Sequence, residues 1–402
     1  MKSLAIALAV AVIPPLALLA AEDWPQWRGP RRDGTSAARG LARDWRSRPP
    51  KVLWKANVGT GFASVAVSSG LACTLGNRST NDTVYAFDAA TGKVRWKYAY
   101  RCGLNPLRHE GGPYATPTFD GGRIHVLSKD GRLLCFDAAG GKVLWQKDVK
   151  ALTGSPAPNY GFAGSPLVYE DLLILNVGSA GAAVEKATGK LVWKSPPGKP
   201  GHASPRVLQI DGAPAVVVMS KTHLHVVRPR DGKVIRRHDF GGTGRVYKIP
   251  DPVLIGEKAF VTCTYGELCT LLDLAAGRAR PVWKSDTLVS KTLNPLLLDG
   301  HVIGGHLETS FRCIEAATGK IRWEQDFAGS PLRVDGACLI LTTDGELLLA
   351  DVSPQAFKRL ARARILEGRC WTPPALAAGR LYARNAAGDV VCVQLPFAST
   401  DR

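Results

Sequence analysis

Apolar and polar residues alternate in short runs along most of the chain, and turn residues separate the runs. In one representative stretch, the runs fall at 164–169, 172–176, 182–185 and 191–194. Alternation with a period of two over four to eight residues indicates β-strands, and no stretch keeps the 3.6-residue period of a long helix. The pattern therefore predicts an all-β chain of many short strands.

One phrase, Asp-Ala-Ala-Thr-Gly-Lys-x-x-Trp with small variations, recurs along the chain. Clear copies end at Trp96, Trp145, Trp193 and Trp323, and degraded copies run through Arg236 and Trp283. Intervals of 40 to 50 residues between copies are typical of four-stranded β-propeller blades. The acid is expected to accept turn N–H groups, the glycine to take a positive φ, and the tryptophan to pack between neighbouring blades.

The openings of the repeats, several of them Ser-Pro or Thr-Pro, predict the number of blades. They lie near residues 62, 113, 162, 202, 248, 293, 329 and 371. The last opening precedes only three strands, and 51–58 offers the missing fourth strand, which would close the ring and remove exposed sheet edges. We therefore predict a single closed β-propeller of eight four-stranded blades over 51–395. Seven blades is the alternative, because the copies near 231 and 351 are irregular.

The two ends of the chain lie outside this ring. Lys2 and the uncharged apolar run that follows it predict a signal peptide over 1–21, with a membrane anchor as the alternative. Residues 22–50 form a lead-in and 396–402 a tail. No later stretch reaches the ~20 apolar residues of a transmembrane segment, so a periplasmic or secreted protein is expected.

Charge and cysteine content change this interpretation little. The formal charge of +18 comes from Lys and Arg spread along the chain, which favours a solvated basic surface over a nucleic-acid partner. Among the nine cysteines, Cys135, Cys313 and Cys392 occupy one position in three repeats, too far apart for a disulfide. Most are expected to be small buried side chains. Cys102 and Cys370 are expected near one face, as a disulfide or as free thiols.

The repeated phrase resembles the tryptophan-docking repeat of the pyrroloquinoline-quinone-like propellers, over roughly 51–395. The segment Asp-Trp-Pro-Gln-Trp-Arg-Gly-Pro at 23–30 resembles the lead-in of an exported bacterial branch of that family. The resemblance implies the fold but not one function, since such rings serve both quinone-dependent dehydrogenases and a lipoprotein of outer-membrane-protein assembly.

A quinone enzyme of that family would need an aromatic floor, cations for the quinone carboxylates, a calcium site and a carboxylate base. This chain has no adjacent Cys-Cys pair, and the family's calcium ligands cannot be matched residue by residue. No cofactor is therefore predicted, and pyrroloquinoline quinone with calcium belongs only to the alternative function.

Loops that join consecutive blades share one face of the ring with loops between second and third strands, and long loops there suit ligand binding. The candidate ligand-binding residues on this face are His109, Glu110, Tyr160, Arg369, Trp371, Arg384 and Asn385. His109 and Glu110 are alternatively a pair that shapes its loop, and Trp371 is alternatively a blade-packing residue. His223 and His225 lack a second ligand pair, so no metal site is predicted.

These observations predict a non-catalytic, monomeric propeller that binds a protein, peptide or glycan on the loop face. A quinone-dependent oxidoreductase acting on alcohols or sugars is the alternative.

Overall fold

The computed structural model describes residues 23–107, 109–241, 248–263, 268–275 and 277–398. The predicted signal peptide and the end of the predicted tail lie outside these residues. The described residues form eight consecutive antiparallel sheets whose first strands contact one another around a central channel. The prediction of an eight-bladed propeller is confirmed, and the seven-blade alternative is wrong.

The strands of each blade are ordered from the channel outwards. The strands of blades 1 and 2 are Ala66–Ser68, Leu71–Arg78, Asn81–Asp88 and Val94–Arg101, then Thr118–Asp120, Arg123–Leu127, Arg132–Asp137 and Val143–Asp148. Those of blades 3 and 4 are Leu167–Tyr169, Leu172–Leu175, Ala182–Glu185 and Leu191–Lys194, then Arg206–Ile210, Ala213–Met219, His223–Val227 and Val234–Asp239.

The second half of the ring repeats this plan. The strands of blades 5 and 6 are Val253–Ile255, Lys258–Val261, Cys269–Asp273 and Arg280–Ser285, then Leu296–Leu298, His301–His306, Ser310–Glu315 and Ile321–Gln325. Those of blade 7 are Gly329–Val334, Ala337–Thr342, Glu346–Val352 and Phe357–Arg364, and those of blade 8 are Ala375–Ala377, Arg380–Arg384, Asp389–Gln394 and Lys51–Asn57.

Two further elements lie outside the blades' own strands. Thr35–Ser36 pairs in parallel with the first strand of blade 7. The helix Val149–Thr153 follows blade 2, with Asp148 as its N-cap. In the part of the chain that the structure describes, no helix has the length and apolar character needed to cross a bilayer.

The N-terminal strand closes the ring as predicted. Lys51–Asn57 pairs antiparallel with Asp389–Gln394, so that blade 8 takes its fourth strand from the opposite end of the chain. The pairing covers an edge that would otherwise expose unpaired backbone groups. Closure of the ring therefore joins two segments that are distant in sequence.

The repeated phrase forms the joint between neighbouring blades. In six joints the indole N–H of a fourth-strand tryptophan donates to a carbonyl of the next blade, at 2.8–3.3 Å; the tryptophans are Trp54, Trp96, Trp145, Trp193, Trp283 and Trp323. At the joint between blades 4 and 5, Arg236 takes the tryptophan's place and donates to Leu274 O at 3.0 Å. The predicted packing of tryptophan between blades is confirmed.

A ring of polar side chains, here called the polar belt, encircles the channel at the start of the first strands. Its members are Ser64, Thr116, Ser165, Ser204, Asp251, Asn294, Ser330 and Thr372, one per blade. In five consecutive joints, from blade 1 to blade 6, the side-chain oxygen accepts the backbone N–H of the preceding belt residue at 2.7–3.0 Å. The belt thus ties neighbouring blades together at the channel wall.

The lead-in enters the channel from the face opposite the interblade loops. Trp24 bridges to Val67 of blade 1, Arg32 donates to Pro166 O of blade 3 at 2.9 Å, and Arg28 donates to Pro295 O of blade 6 at 2.6 Å. Because these contacts reach opposite sides of the ring, the lead-in spans the channel. The lead-in therefore closes the channel from one side, and the face that carries the interblade loops is a closed concave surface.

All nine cysteines are buried thiols, and none forms a disulfide. Of the two alternatives for Cys102 and Cys370, the structure shows thiols. Burial raises the pKa of both thiols to about 12, which makes them poor nucleophiles.

Candidate functional site

Aromatic rings from several interblade loops meet at the mouth of the channel. This aromatic cup consists of Phe62, His109, Tyr114, Tyr160, His202 and Trp371. The ring of Phe62 stacks on those of Tyr114 and Trp371, with centroids 5.9 and 5.7 Å apart. His109 stacks on Tyr160 at 5.3 Å. All but His202 are half-buried, so the rings pack together and still face solvent.

The repeat places three of these rings. Phe62, Tyr114 and His202 each lie two residues before the belt residue of their blade. The belt holds the backbone at that point, so the residue two positions earlier rises above the floor of the cup. His109 and Tyr160 come from the two longer loops that follow blades 1 and 2.

Glycine allows the His109 loop to lie against the channel wall. Gly112 has a φ of +89°, and a Cβ there would lie 2.5 Å from Thr60 O, so no larger residue fits without displacing the backbone. The turn is closed by the N–H of Gly111, which donates to His109 Nδ1 at 3.1 Å. Burial and the nearby cations Lys291, Arg369 and Lys129 lower the pKa of His109 despite Glu110, so its ring is neutral at neutral pH.

An ion pair crosses one side of the cup. Both carboxylate oxygens of Glu110 accept from Arg369 Nη1 at 2.7 Å, which joins the loop after blade 1 to the loop before blade 8. The Arg369 guanidinium lies 4.5 Å from the centre of the Trp371 ring, and Lys291 Nζ lies 5.4 Å from it. Trp371 is thus an aromatic plane with two cations close to it, an arrangement that favours anionic or aromatic groups.

The structure therefore brings together five of the seven predicted ligand residues, namely His109, Glu110, Tyr160, Arg369 and Trp371. It does not bring Arg384 or Asn385 to the cup surface. The buried guanidinium of Arg384 donates to Ala63 O at 3.0 Å and to Leu75 O at 2.6 Å, which links blade 8 to blade 1.

Asn385 is equally committed to the fold. Its amide nitrogen donates to Glu367 O at 2.9 Å and to Asp389 Oδ2 at 2.8 Å. These contacts shape the turn between the second and third strands of blade 8.

A comparison of repeats offers a signal for the role of Arg384, since Asn176 occupies the equivalent position in blade 3 and binds Ala203 O and Met219 O of the following blade.

Phe62, Tyr114, His202 and Lys291 were not among the sequence candidates. The first three share a position relative to the belt residue, so an alignment of blade openings would have identified them. Lys291 belongs to the loop between blades 5 and 6 and lies close to Trp371 of the loop between blades 7 and 8. Nothing in its local sequence signals that contact.

Among the described residues, no group of three or more His, Cys, Asp or Glu side chains is placed to hold a metal ion. His223 and His225 do lie side by side, with ring centroids 5.4 Å apart. Their neighbour Arg237 contacts His223 Nε2, and a cation at that position opposes the binding of a metal ion.

Comparison with known proteins identifies the kind of propeller. The sequence family described as outer membrane protein assembly factor BamB matches residues 81–325. The chain is 23% identical over 309 residues to the outer membrane protein assembly factor BamB of Burkholderia pseudomallei, covering 73% of this chain and 74% of that protein.

Quinone enzymes share the fold and part of the sequence. The chain is 31% identical over 135 residues to quinohemoprotein alcohol dehydrogenase ADH IIB of Pseudomonas putida, which covers 29% of this chain and only 18% of that enzyme. The crystal structure of quinohemoprotein alcohol dehydrogenase from Comamonas testosteroni superposes with a TM-score of 0.69 at 14% identity, covering 94% of this chain and 82% of that chain.

Proposed function

Because this chain belongs to the propeller family described as outer membrane protein assembly factor BamB, we propose that it is a non-catalytic periplasmic propeller that binds a polypeptide segment in the aromatic cup. The observation that carries the proposal is the cluster of six rings from five interblade loops, closed below by the lead-in. Aromatic side chains on a preformed concave surface are what dominates binding energy at protein interfaces.

The charges of the cup specify the segment further. Lys291 and Arg369 lie close to the Trp371 ring, and Glu110 is already paired with Arg369. A bound segment that carries both aromatic and acidic side chains would stack on the rings and place its carboxylates near these cations. We favour a polypeptide over a glycan because a relative that aligns over most of its length is a protein assembly factor.

Synthetic peptides test this proposal. Three fluorescently labelled peptides of equal length, alternating Phe with Asp, Phe with Lys, or Ser with Asp, are titrated with the full chain and followed by fluorescence anisotropy. The Phe–Asp peptide should bind most tightly. Trp371→Ala should weaken its binding at least about tenfold, because truncating a central interface aromatic costs more than about 1.4 kcal/mol.

Two control variants separate binding from stability. Trp371→Phe keeps an aromatic plane and should retain most of the affinity. Arg362→Gln breaks a comparable exposed ion pair, with Glu346, on the outer strand of blade 7 and should change nothing, whereas Arg369→Gln should weaken the Phe–Asp peptide. Equal binding of that peptide by the wild type, Trp371→Ala and Arg369→Gln would place recognition outside the cup.

Quinone-dependent oxidation is the second candidate function, favoured by the Trp371 plane and its two cations. The residues fit the quinone only in part, because the described residues offer no cluster of carboxylates for calcium and Glu110 is engaged by Arg369. We therefore derive no step through this cofactor. Stoichiometric quinone absorbance after gel filtration with calcium, together with alcohol-dependent dye reduction, would make this function the better one.

A further inference from the structure

A second concavity lies on the loop face between blades 3 and 4, outside the aromatic cup. This basic cleft encloses about 490 Å³. Its wall presents three cations and three hydroxyls, supplied by Lys199, Lys221, Arg237, Ser179, Ser220 and Thr222. None of the described residues that line it is an Asp or a Glu, so the cleft is positively charged at neutral pH.

Backbone contacts bring together the two loops that carry the lysines of the cleft. The N–H of Lys221 donates to Lys199 O at 3.1 Å, and Pro200 forms a β-bridge with Ser220. These contacts join the loop after blade 3 to the second turn of blade 4. Arg237 stands on the fourth strand of blade 4, in register with His225. The fold therefore brings the backbone of these three basic residues to one place.

Two histidines form the floor of the cleft. His225 is only 7% exposed, and its Nδ1 has no hydrogen-bond partner within the described residues. Its ring stacks on that of His223. His223 Nε2 lies 3.4 Å from Oδ2 of the exposed Asp239. Burial, His223 and Arg237 lower the pKa of His225 to about 4. A buried nitrogen without a partner is costly, and a ligand atom at this position would satisfy it.

We propose that the basic cleft binds a tetrahedral oxyanion, phosphate or sulfate, carried by a larger molecule such as a sugar or a glycerol headgroup. Several cations and hydroxyls on one wall, with no carboxylate among the described residues of the lining, are the donor set that such groups require. The cleft volume exceeds what a free ion needs, which is why we assign the anion to a larger ligand.

Calorimetric titration of the full chain tests the site. Inorganic phosphate, inorganic sulfate, glycerol 3-phosphate and glucose 6-phosphate are titrated at low, matched ionic strength, with acetate as the control anion. The phosphate esters should bind at least about tenfold more tightly than acetate, and more tightly than the free ions. Tighter binding of the free ions would overturn the assignment to a larger ligand.

Variants locate the binding. Lys199→Gln combined with Lys221→Gln should weaken the esters at least about tenfold, and Arg237→Gln should do likewise. Lys147→Gln, on the outer strand of blade 2, serves as the matched control and should have no effect. Undiminished binding in the lysine double variant, or an anomalous selenate peak away from the cleft in a soaked crystal, would overturn the proposal. Peptide binding in the cup should be unchanged in these variants, so the two proposals fail separately.

Discussion

Replacing Trp54 by alanine removes the side chain that ties the closing strand to blade 1. Trp54 is 8% exposed and packs against Gly92 in the turn of that blade. Its indole N–H donates to Ala89 O at 3.1 Å, and its ring lies 6.0 Å from that of Tyr382. The contact therefore joins three parts of the ring at the point where the two chain ends meet.

The expected loss follows from the burial and the hydrogen bonds. A buried tryptophan removes roughly 150–250 Å² from water, worth at most about 4–6 kcal/mol, and Trp→Ala substitutions in cores cost about 3–5 kcal/mol. No further penalty for an orphaned carbonyl is expected, because Ala89 O also accepts from Tyr382 Oη at 3.0 Å. We therefore expect Trp54→Ala to lower the free energy of unfolding by about 3–5 kcal/mol.

Urea unfolding followed by far-UV circular dichroism, recorded in both directions, measures this loss. The control is Leu53→Ala, since Leu53 is the neighbouring residue on the same strand and is 37% exposed; its effect should stay within about 0.5–1 kcal/mol. Trp54→Ala should also raise the fraction of aggregate in size-exclusion chromatography, because a loosened closing strand exposes a sheet edge. A loss below about 1 kcal/mol, or an equal loss in the control, would refute tryptophan docking as the basis of closure.

Two further predictions concern the joints and the core. Gly232→Ala should lower the melting temperature more than Gly212→Ala. Both glycines have positive φ, but a Cβ at 232 would lie 2.4 Å from Trp193, whereas a Cβ at 212 meets nothing within 4 Å. Equal melting temperatures of the two variants would contradict this prediction. His125 is buried, its two ring nitrogens lack partners within the described residues, and burial lowers its pKa to about 4. Because the unfolded chain takes up this proton near pH 6.5, the free energy of unfolding should fall by about 3 kcal/mol as the pH is lowered from that value to 4. In His125→Leu the midpoint urea concentration should vary less with pH between 7 and 4 than in the wild type. The same variation in both proteins would show that His125 is not its cause.

Much of the fold is readable from the sequence because each blade obeys local rules. The acid of the repeat accepts turn N–H groups as predicted, with Asp88 Oδ1 receiving the N–H of Thr91 at 2.9 Å. Turn chemistry of this kind depends on residues three or four positions apart, so the pairing of third and fourth strands follows from the sequence in the blades that keep the phrase. The unpaired strand predicted at 51–58 likewise indicated how the ring closes, since a last blade with three strands leaves an edge that must be covered.

The remaining features of the fold and of the candidate site depend on contacts between residues that are distant in sequence. The sequence offers no periodic signal for the lead-in, and only the assembled ring shows that Arg28 and Arg32 reach carbonyls on opposite sides of the channel. Arg384 illustrates the limit for the candidate site: a polar residue at the end of a strand was predicted to bind ligand, yet the neighbouring blade encloses it. Whether such a side chain is exposed to solvent or bonded to a carbonyl depends on a blade more than 300 residues away in sequence. The local sequence around Arg384 does not show which blade will pack against it.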